Sequence, residues 1–201
     1  MNRLPRKIDQ YLNDWKKDKH KMPLIVKGAR QIGKTEAIEN FAKNNYKNVV
    51  EINFALQKQY LDIFDDGFDV DEIIKNISFK NPNFRFIPKE TLIFFDELQA
   101  CPNCATSLKS FNKDKRFDVI CSGSLMGISY KEIESNSVGN KIDYTMYSLD
   151  FEEFLWAKGY KQEQIEDIYQ CMLNTKPLGK VQFEVMMDNF REYMVVGGMP
   201  A

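Results

Sequence analysis

The chain has 201 residues, 43% of them hydrophobic and 28% charged, with a net charge of −1 and a mean hydropathy of −0.46. That length holds one α/β domain plus a smaller appendage, and the composition excludes an intrinsically disordered chain. No run reaches the ~18 apolar residues that span a bilayer, and the charged start lacks the apolar core of a secretory signal, so a cytoplasmic protein without a membrane partner is expected.

The near-neutral balance gives no electrostatic argument for nucleic acid as a whole-chain partner. The basic run Lys16-Lys17-Asp18-Lys19-His20-Lys21 reads as a solvated loop, with phosphate contact the competing reading. It follows an apolar stripe of Ile8, Tyr11, Leu12 and Trp15 whose spacing predicts a helix over residues 4–17. Residues 23–27 form a short apolar run, as in a buried parallel strand. A helix over about 34–45 and a strand over 48–54 come next. Short helices are expected at 57–64 and 70–77, then a strand over 91–95, a helix over about 103–113, a strand over 117–121 and a fifth β-rich stretch at 142–149. This alternation predicts βαβ units around a parallel sheet.

Beyond Leu149 the pattern turns helical. Asp150 followed by Glu153 has the form of a capping box, and further helices are expected at about 161–173 and 180–195. The chain is therefore read as a core over residues 1–149 and a helical lid over 150–201. Its abrupt end at Gly197-Gly198-Met199-Pro200-Ala201 reads as a truncation before a further domain.

The chemistry is carried by Gly28-Ala29-Arg30-Gln31-Ile32-Gly33-Lys34-Thr35, which fits G-x-x-x-x-G-K-[ST] at every fixed position, between a predicted strand and a predicted helix. Glycines let the backbone wrap phosphate oxygens, and the amide groups at a helix N-terminus hold the negative charge. Lys34 is suited to the β- and γ-phosphates and Thr35 to Mg²⁺. Gly28, Ala29, Arg30, Gln31, Ile32, Gly33, Lys34, Thr35 and Glu36 are the candidate nucleotide-binding residues.

Asp96-Glu97 ends the most hydrophobic strand. The C-terminal ends of parallel strands share one edge, so this pair is expected beside the phosphate loop. Asp96 then holds Mg²⁺, directly or through water, and Glu97 orients the attacking water. The structural alternative is a plain acidic strand end capping the next helix. A GTPase is disfavoured, because Gln99 stands where D-x-x-G needs glycine and Asn112-Lys113-Asp114-Lys115 does not make N-K-x-D. A small-molecule kinase would want an arginine-rich lid, and residues 150–201 offer only Arg191. The nucleotide is therefore read as ATP. Ser124, preferred to Ser122, is a candidate sensor of the γ-phosphate or holder of the water, set against an ordinary Ser-Gly-Ser turn. Cys101 and Cys104 have the spacing of half a zinc site, but no second pair accompanies them, and they are read as ordinary loop cysteines.

Together, the phosphate loop, Phe95-Asp-Glu-Leu-Gln99, Gly123-Ser124, Ser148-Leu-Asp-Phe-Glu-Glu-Phe154 and Gly197-Gly-Met-Pro200 resemble the AAA+ superfamily. The likeness is to a prokaryotic group related to archaeal and STAND-type ATPases, in which the AAA domain precedes a nuclease-like C-terminal domain of unknown function. The resemblance implies an α/β fold: a three-layer P-loop NTPase core with a five-stranded parallel sheet, the sensor strand between the phosphate-loop and carboxylate strands, followed by a helical lid. It also implies that Pro200 lies against adenine. Gly139-Asn140 stands where the group shows Gly-Arg, which leaves Arg116 and Arg191 as candidate charge stabilisers.

The expected function is Mg²⁺-dependent ATP hydrolysis by a nucleotide-driven switch or oligomeric machine. Two alternatives stay open: an ATP-bound signalling module with little turnover, or a nucleic-acid-linked ATPase of a defence or mobile-element system.

Overall fold

The computed structural model describes residues 3–124 and 138–199. They fall into two compact units, Leu12–Met146 and Met1–Tyr11 with Tyr147–Ala201. No helix among the described residues is long and apolar enough to cross a membrane.

The larger unit is built on β1 (Leu24–Lys27), β2 (Asn48–Asn53), β3 (Thr91–Asp96), β4 (Asp118–Gly123) and β5 (Ile142–Thr145). They form one sheet in the order β2-β3-β4-β1-β5, and every pairing is parallel. The expected α/β class and five-stranded parallel sheet are present, with β4 lying between β1 and β3. β3 sits inside the sheet with helices over it, so all six of its side chains are buried and its sequence runs apolar without alternation.

Two strand ends move by more than one residue, for reasons of pairing. β4 continues to Gly123 because Ser122 and Gly123 find partners in Val26 and Lys27. β5 stops at Thr145 because its one neighbour, β1, ends at Lys27; the Met146 amide then donates to the Lys27 carbonyl at 2.8 Å.

Helices α2 (Lys34–Asn45), α3 (Val70–Lys80) and α4 (Pro102–Asp114) cross between strands, with a 3-10 segment at Lys58–Phe64. The core gathers around Phe95, whose ring stacks on Phe54 at 5.5 Å and meets Phe64 and Phe111 edge-on at 6.1 and 6.3 Å. Helix α1 (Lys7–Lys17) starts three residues later than the predicted residue 4, since the Asp9 carboxylate accepts from the Arg6 amide at 2.9 Å and fixes the first turn there.

The smaller unit contains α5 (Phe151–Ala157), α6 (Gln162–Leu173) and α7 (Lys180–Val196). The capping box of α5 is formed: the Glu153 amide donates to Asp150 at 2.9 Å, and Glu153 accepts from the Asp150 amide at 3.2 Å. Glu153 also pairs with Arg6 at 3.1 Å, each side chain 6% exposed. Phe151, Phe154, Phe190 and Tyr193 make a ring cluster, and the Leu149 amide donates to the Gly198 carbonyl at 2.7 Å.

Candidate functional site

The phosphate loop leaves β1 at Gly28, where a Cβ would stand 2.2 Å from the Met146 carbonyl oxygen and 2.8 Å from Ile32 Cδ1. Only a residue without a side chain passes there. Gly33 takes the left-handed conformation, φ 88°, and opens α2 with no side-chain cap, so the first-turn amides of the helix are left to an anion. Gln31 adopts φ 61°, a strained choice for a residue with a side chain, of the kind that collects at binding sites.

Lys34 lies within the loop's own curl, 9% exposed, and its ammonium donates to the Gly28 carbonyl at 3.1 Å and to that of Ala29. Burial lowers its pKa, while the nearby charges of Glu97 and Asp96 oppose that shift.

β3 delivers Asp96 to the same edge. Thr35 Oγ1 donates to Asp96 Oδ2 at 3.2 Å, and Asn53 Nδ2, from the end of β2, donates to the same oxygen at 2.9 Å. The other oxygen, Oδ1, accepts from the Glu97 amide at 2.9 Å and from the Ser122 hydroxyl. With these partners the carboxylate is 4% exposed yet fully satisfied. Glu97 follows in the left-handed region, φ 56°, ψ 49°, which breaks the strand. Its carboxylate accepts from Gln99 Nε2, which also donates to Ser124 Oγ at 3.3 Å. Arg30 Nε reaches the same hydroxyl at 3.5 Å.

The candidate residues therefore come together in the larger unit. Arg30, Gln31, Gly33, Lys34, Thr35, Glu36, Asp96 and Glu97 line a cleft of about 520 Å³, within the range of small-ligand sites. Gly28 and Ala29 serve it through their carbonyls, Ile32 is buried beneath the loop, and Ser124 touches Arg30 and Gln99. Pro200 lies outside the described residues.

Asn53 and Gln99 were not singled out as site residues, and Ser122 was set behind Ser124. Asn53 and Ser122 are polar residues at the C-terminal ends of apolar strands, which is the signal that marks them. Gln99 stands out only as the residue that spoils a GTPase motif. Of the two candidate arginines, Arg116 precedes β4, at the opposite sheet edge, with Asp114 and Asp71 each at 2.7 Å, and Arg191, in the smaller unit, pairs with Asp188 at 2.9 Å.

Cys101 and Cys104 are core residues, 4% and 0% exposed, where loop positions were expected. Pro102 starts α4 between them and turns both thiols inward. Burial raises both thiols, that of Cys101 to about 11, so they are poor metal ligands and poor nucleophiles. No group of three or more metal-ligating His, Cys, Asp or Glu occurs among the described residues.

Among solved structures the chain is similar to C. elegans PCH-2, at a TM-score of 0.45 and 10% identity, over 87% of this chain and 48% of that one. It is also similar to the Aeropyrum pernix ORC1 protein, solved in complex with DNA, at a TM-score of 0.44 and 11% identity over 74% and 45%. The chain thus spans about half the length of these structures. No curated protein matches it. A family model described as an AAA domain matches residues 20–155, most of the chain and the whole run from phosphate loop to carboxylate pair. On that match the chain belongs to the AAA-domain family, a family of nucleotide-binding, ATPase-type domains.

Proposed function

We propose that this chain binds ATP with Mg²⁺ in the cleft at the C-terminal edge of the sheet and hydrolyses the β–γ phosphoanhydride. The observation that carries this reading is the Thr35–Asp96 hydrogen bond, which brings the two sequence motifs together across 61 residues.

The donor chemistry fits magnesium. A hydroxyl and a carboxylate are hard oxygen ligands, and Mg²⁺ at phosphate sites takes only one or two groups from the protein. Thr35 and Asp96 would hold it. When bound, the ion neutralises charge on the phosphate oxygens.

The chain's own residues do the rest. The amides opening α2 bind the phosphate oxygens, and Lys34 exchanges the Gly28 and Ala29 carbonyls for the β- and γ-phosphates. That exchange is favourable because a phosphate is a charged acceptor and a carbonyl is neutral. Glu97 takes a proton from water as the water oxygen bonds to the γ-phosphorus and the bridging oxygen leaves with ADP. Ser124, within reach of Arg30, is the residue we assign to meet the γ-phosphate; its contact with Arg30 supports that role. The absence of the guanine-reading motifs favours ATP over GTP, and residues 150–201 are the candidate lid of a nucleotide-driven switch.

Lys34→Ala is expected to abolish ATP binding in titration calorimetry. Glu97→Gln is expected to bind ATP as wild type does while turnover falls by roughly 10²-fold or more. Wild-type affinity in Lys34→Ala would end this reading.

A further inference from the structure

At the edge of the sheet opposite the nucleotide cleft lies a second cleft, basic and of about 330 Å³. Met22 and Pro23 lead into β1 there, Lys89 stands two residues before β3, and Asp118 opens β4, which places the cleft at the N-terminal ends of the strands. Four lysines line it, Lys19, Lys21, Lys89 and Lys115, against two aspartates, Asp18 and Asp118. Lys19 and Lys21 belong to the basic run over residues 16–21, and the fold brings Lys89 and Lys115 to them from two other stretches of the chain.

Both aspartates are engaged. Asp118 accepts from the Tyr46 hydroxyl at 2.7 Å and pairs with Lys21 at 3.3 Å, and Asp18 accepts from the His20 amide at 2.8 Å. Asp114, which also feels the charge of Lys89, is held by Arg116 at 2.7 Å. The other three lysines of the cleft have no carboxylate within ion-pair distance among the described residues. Lys115 donates to the Lys21 carbonyl and to Asn112 Oδ1, each at 2.8 Å, and Lys89 donates to the Lys115 carbonyl, while the Lys19 side chain makes no hydrogen bond among the described residues. These acceptors are neutral, and each ammonium has three donors, so donors are left for a charged ligand. Cations drawn together without counter-charges repel one another, and an arriving anion relieves that repulsion.

We propose that this cleft holds the phosphate backbone of a single-stranded nucleic acid, DNA or RNA. Lysine meets phosphate as a point charge and presents no planar fork, so the site reads charge and not base identity. Lys16 and Lys17 extend the basic run beyond the residues that line the cleft, which suits a row of phosphates better than one small anion. The rings that line it, Trp15, Phe111 and Phe117, are 6% exposed or less. They form its floor and give no apolar wedge to a bilayer, and a concave site of this size admits one strand. With a net charge of −1 the chain as a whole does not attract a polyanion, so the local cluster carries the binding. The site is independent of the nucleotide cleft at the other edge.

Fluorescence anisotropy with labelled oligo-dT and oligo-U strands, each about 16 nucleotides long, tests it. Three or four lysine–phosphate contacts predict that affinity falls roughly 20- to 50-fold between about 50 and 200 mM salt, alike for the two strands. Lys19→Glu combined with Lys89→Glu is expected to weaken both strands by roughly 10-fold or more at the lower salt and to flatten the salt dependence. The control is Lys58→Glu combined with Lys176→Glu, which makes the same change in net charge at exposed residues that do not line the cleft: Lys58 follows β2 at the C-terminal edge, and Lys176 lies in the smaller unit. It is expected to leave affinity within about 2-fold, since distant exposed charges are screened. Far-UV circular dichroism shows whether each pair folds, and if the cleft pair does not, Lys19→Glu alone carries the test with an expected loss of roughly 3-fold or more. Absence of strand binding, or equal weakening by both lysine pairs, overturns the proposal, as does lysine-dependent binding to phosphatidylserine vesicles with none to the strands. ATP binding in the same samples tests the other edge separately.

Discussion

In β3 all six side chains are buried, whereas α6, with twelve residues, buries none and α7, with seventeen, buries only Asn189. The two units thus hold themselves together by different means. The sheet unit encloses its apolar residues, with Phe54, Phe94, Phe95 and Phe111 at 2% exposure or less. The helical unit leaves Val181, Met194, Val195 and Val196 more than half exposed and relies on a ring cluster and on the Arg6–Glu153 junction. The lesson is positional. Asp96 stands on the fully buried β3 and Thr35 on α2, which packs one face into the core, so side chains that must keep hydrogen-bond geometry have rigid supports, while α6 and α7 have the features of a region that opens locally at low cost.

The sharpest way to break this comparison is Phe95→Ala. It removes a fully buried ring with three aromatic neighbours, and a cost of about 4–5 kcal/mol is expected from cavity and lost ring contacts. Urea unfolding followed by far-UV circular dichroism measures it. Because Asp96 is the next residue on β3, nucleotide affinity should fall in parallel. A loss below about 1 kcal/mol would show that the sheet core relaxes freely, and the contrast between the units would dissolve.

Glu153→Gln tests the other unit at a lower level. The carboxylate accepts from the Lys7 amide at 2.8 Å, closes the α5 capping box and faces the buried Arg6. The amide keeps part of this hydrogen bonding and leaves a guanidinium, which also donates to the Tyr147 carbonyl at 2.7 Å, short of its counter-charge. A destabilisation of about 2–3 kcal/mol is expected, seen as faster amide exchange in α5. Exchange unchanged in α5 would mean that the ring cluster alone fixes this unit.

How much of this was legible in the sequence differs along the same line. That the phosphate loop and Asp96-Glu97 would lie together was legible because the fixed positions answer backbone and charge requirements that few residue types meet; the left-handed Gly33 and the crowded Gly28 are examples. The parallel sheet was legible from short apolar runs punctuated by helices. The polar brace of Asp96 was not: Asn53 and Ser122 are far apart in sequence and meet only because β2 and β4 flank β3 in register. The same holds for Arg6 with Glu153, separated by most of the chain. Strand ends shifted because a neighbour's length sets them, and Cys101 and Cys104 looked like loop residues because a proline-started helix turns inward only once a core exists to receive it.

The smallest expected effect completes the contrast. Val195 is 87% exposed near the end of α7, so Val195→Ser removes almost no buried area and loses no packing partner. Valine and serine have similar, modest helix propensities, so the backbone is nearly indifferent to the exchange. The expected change in unfolding free energy is within about 0.5 kcal/mol, an order of magnitude below Phe95→Ala, measured by the same urea titration. A cost above about 1.5 kcal/mol would mean that this face of α7 is covered in solution, and the helical unit would then be held by apolar burial like the sheet.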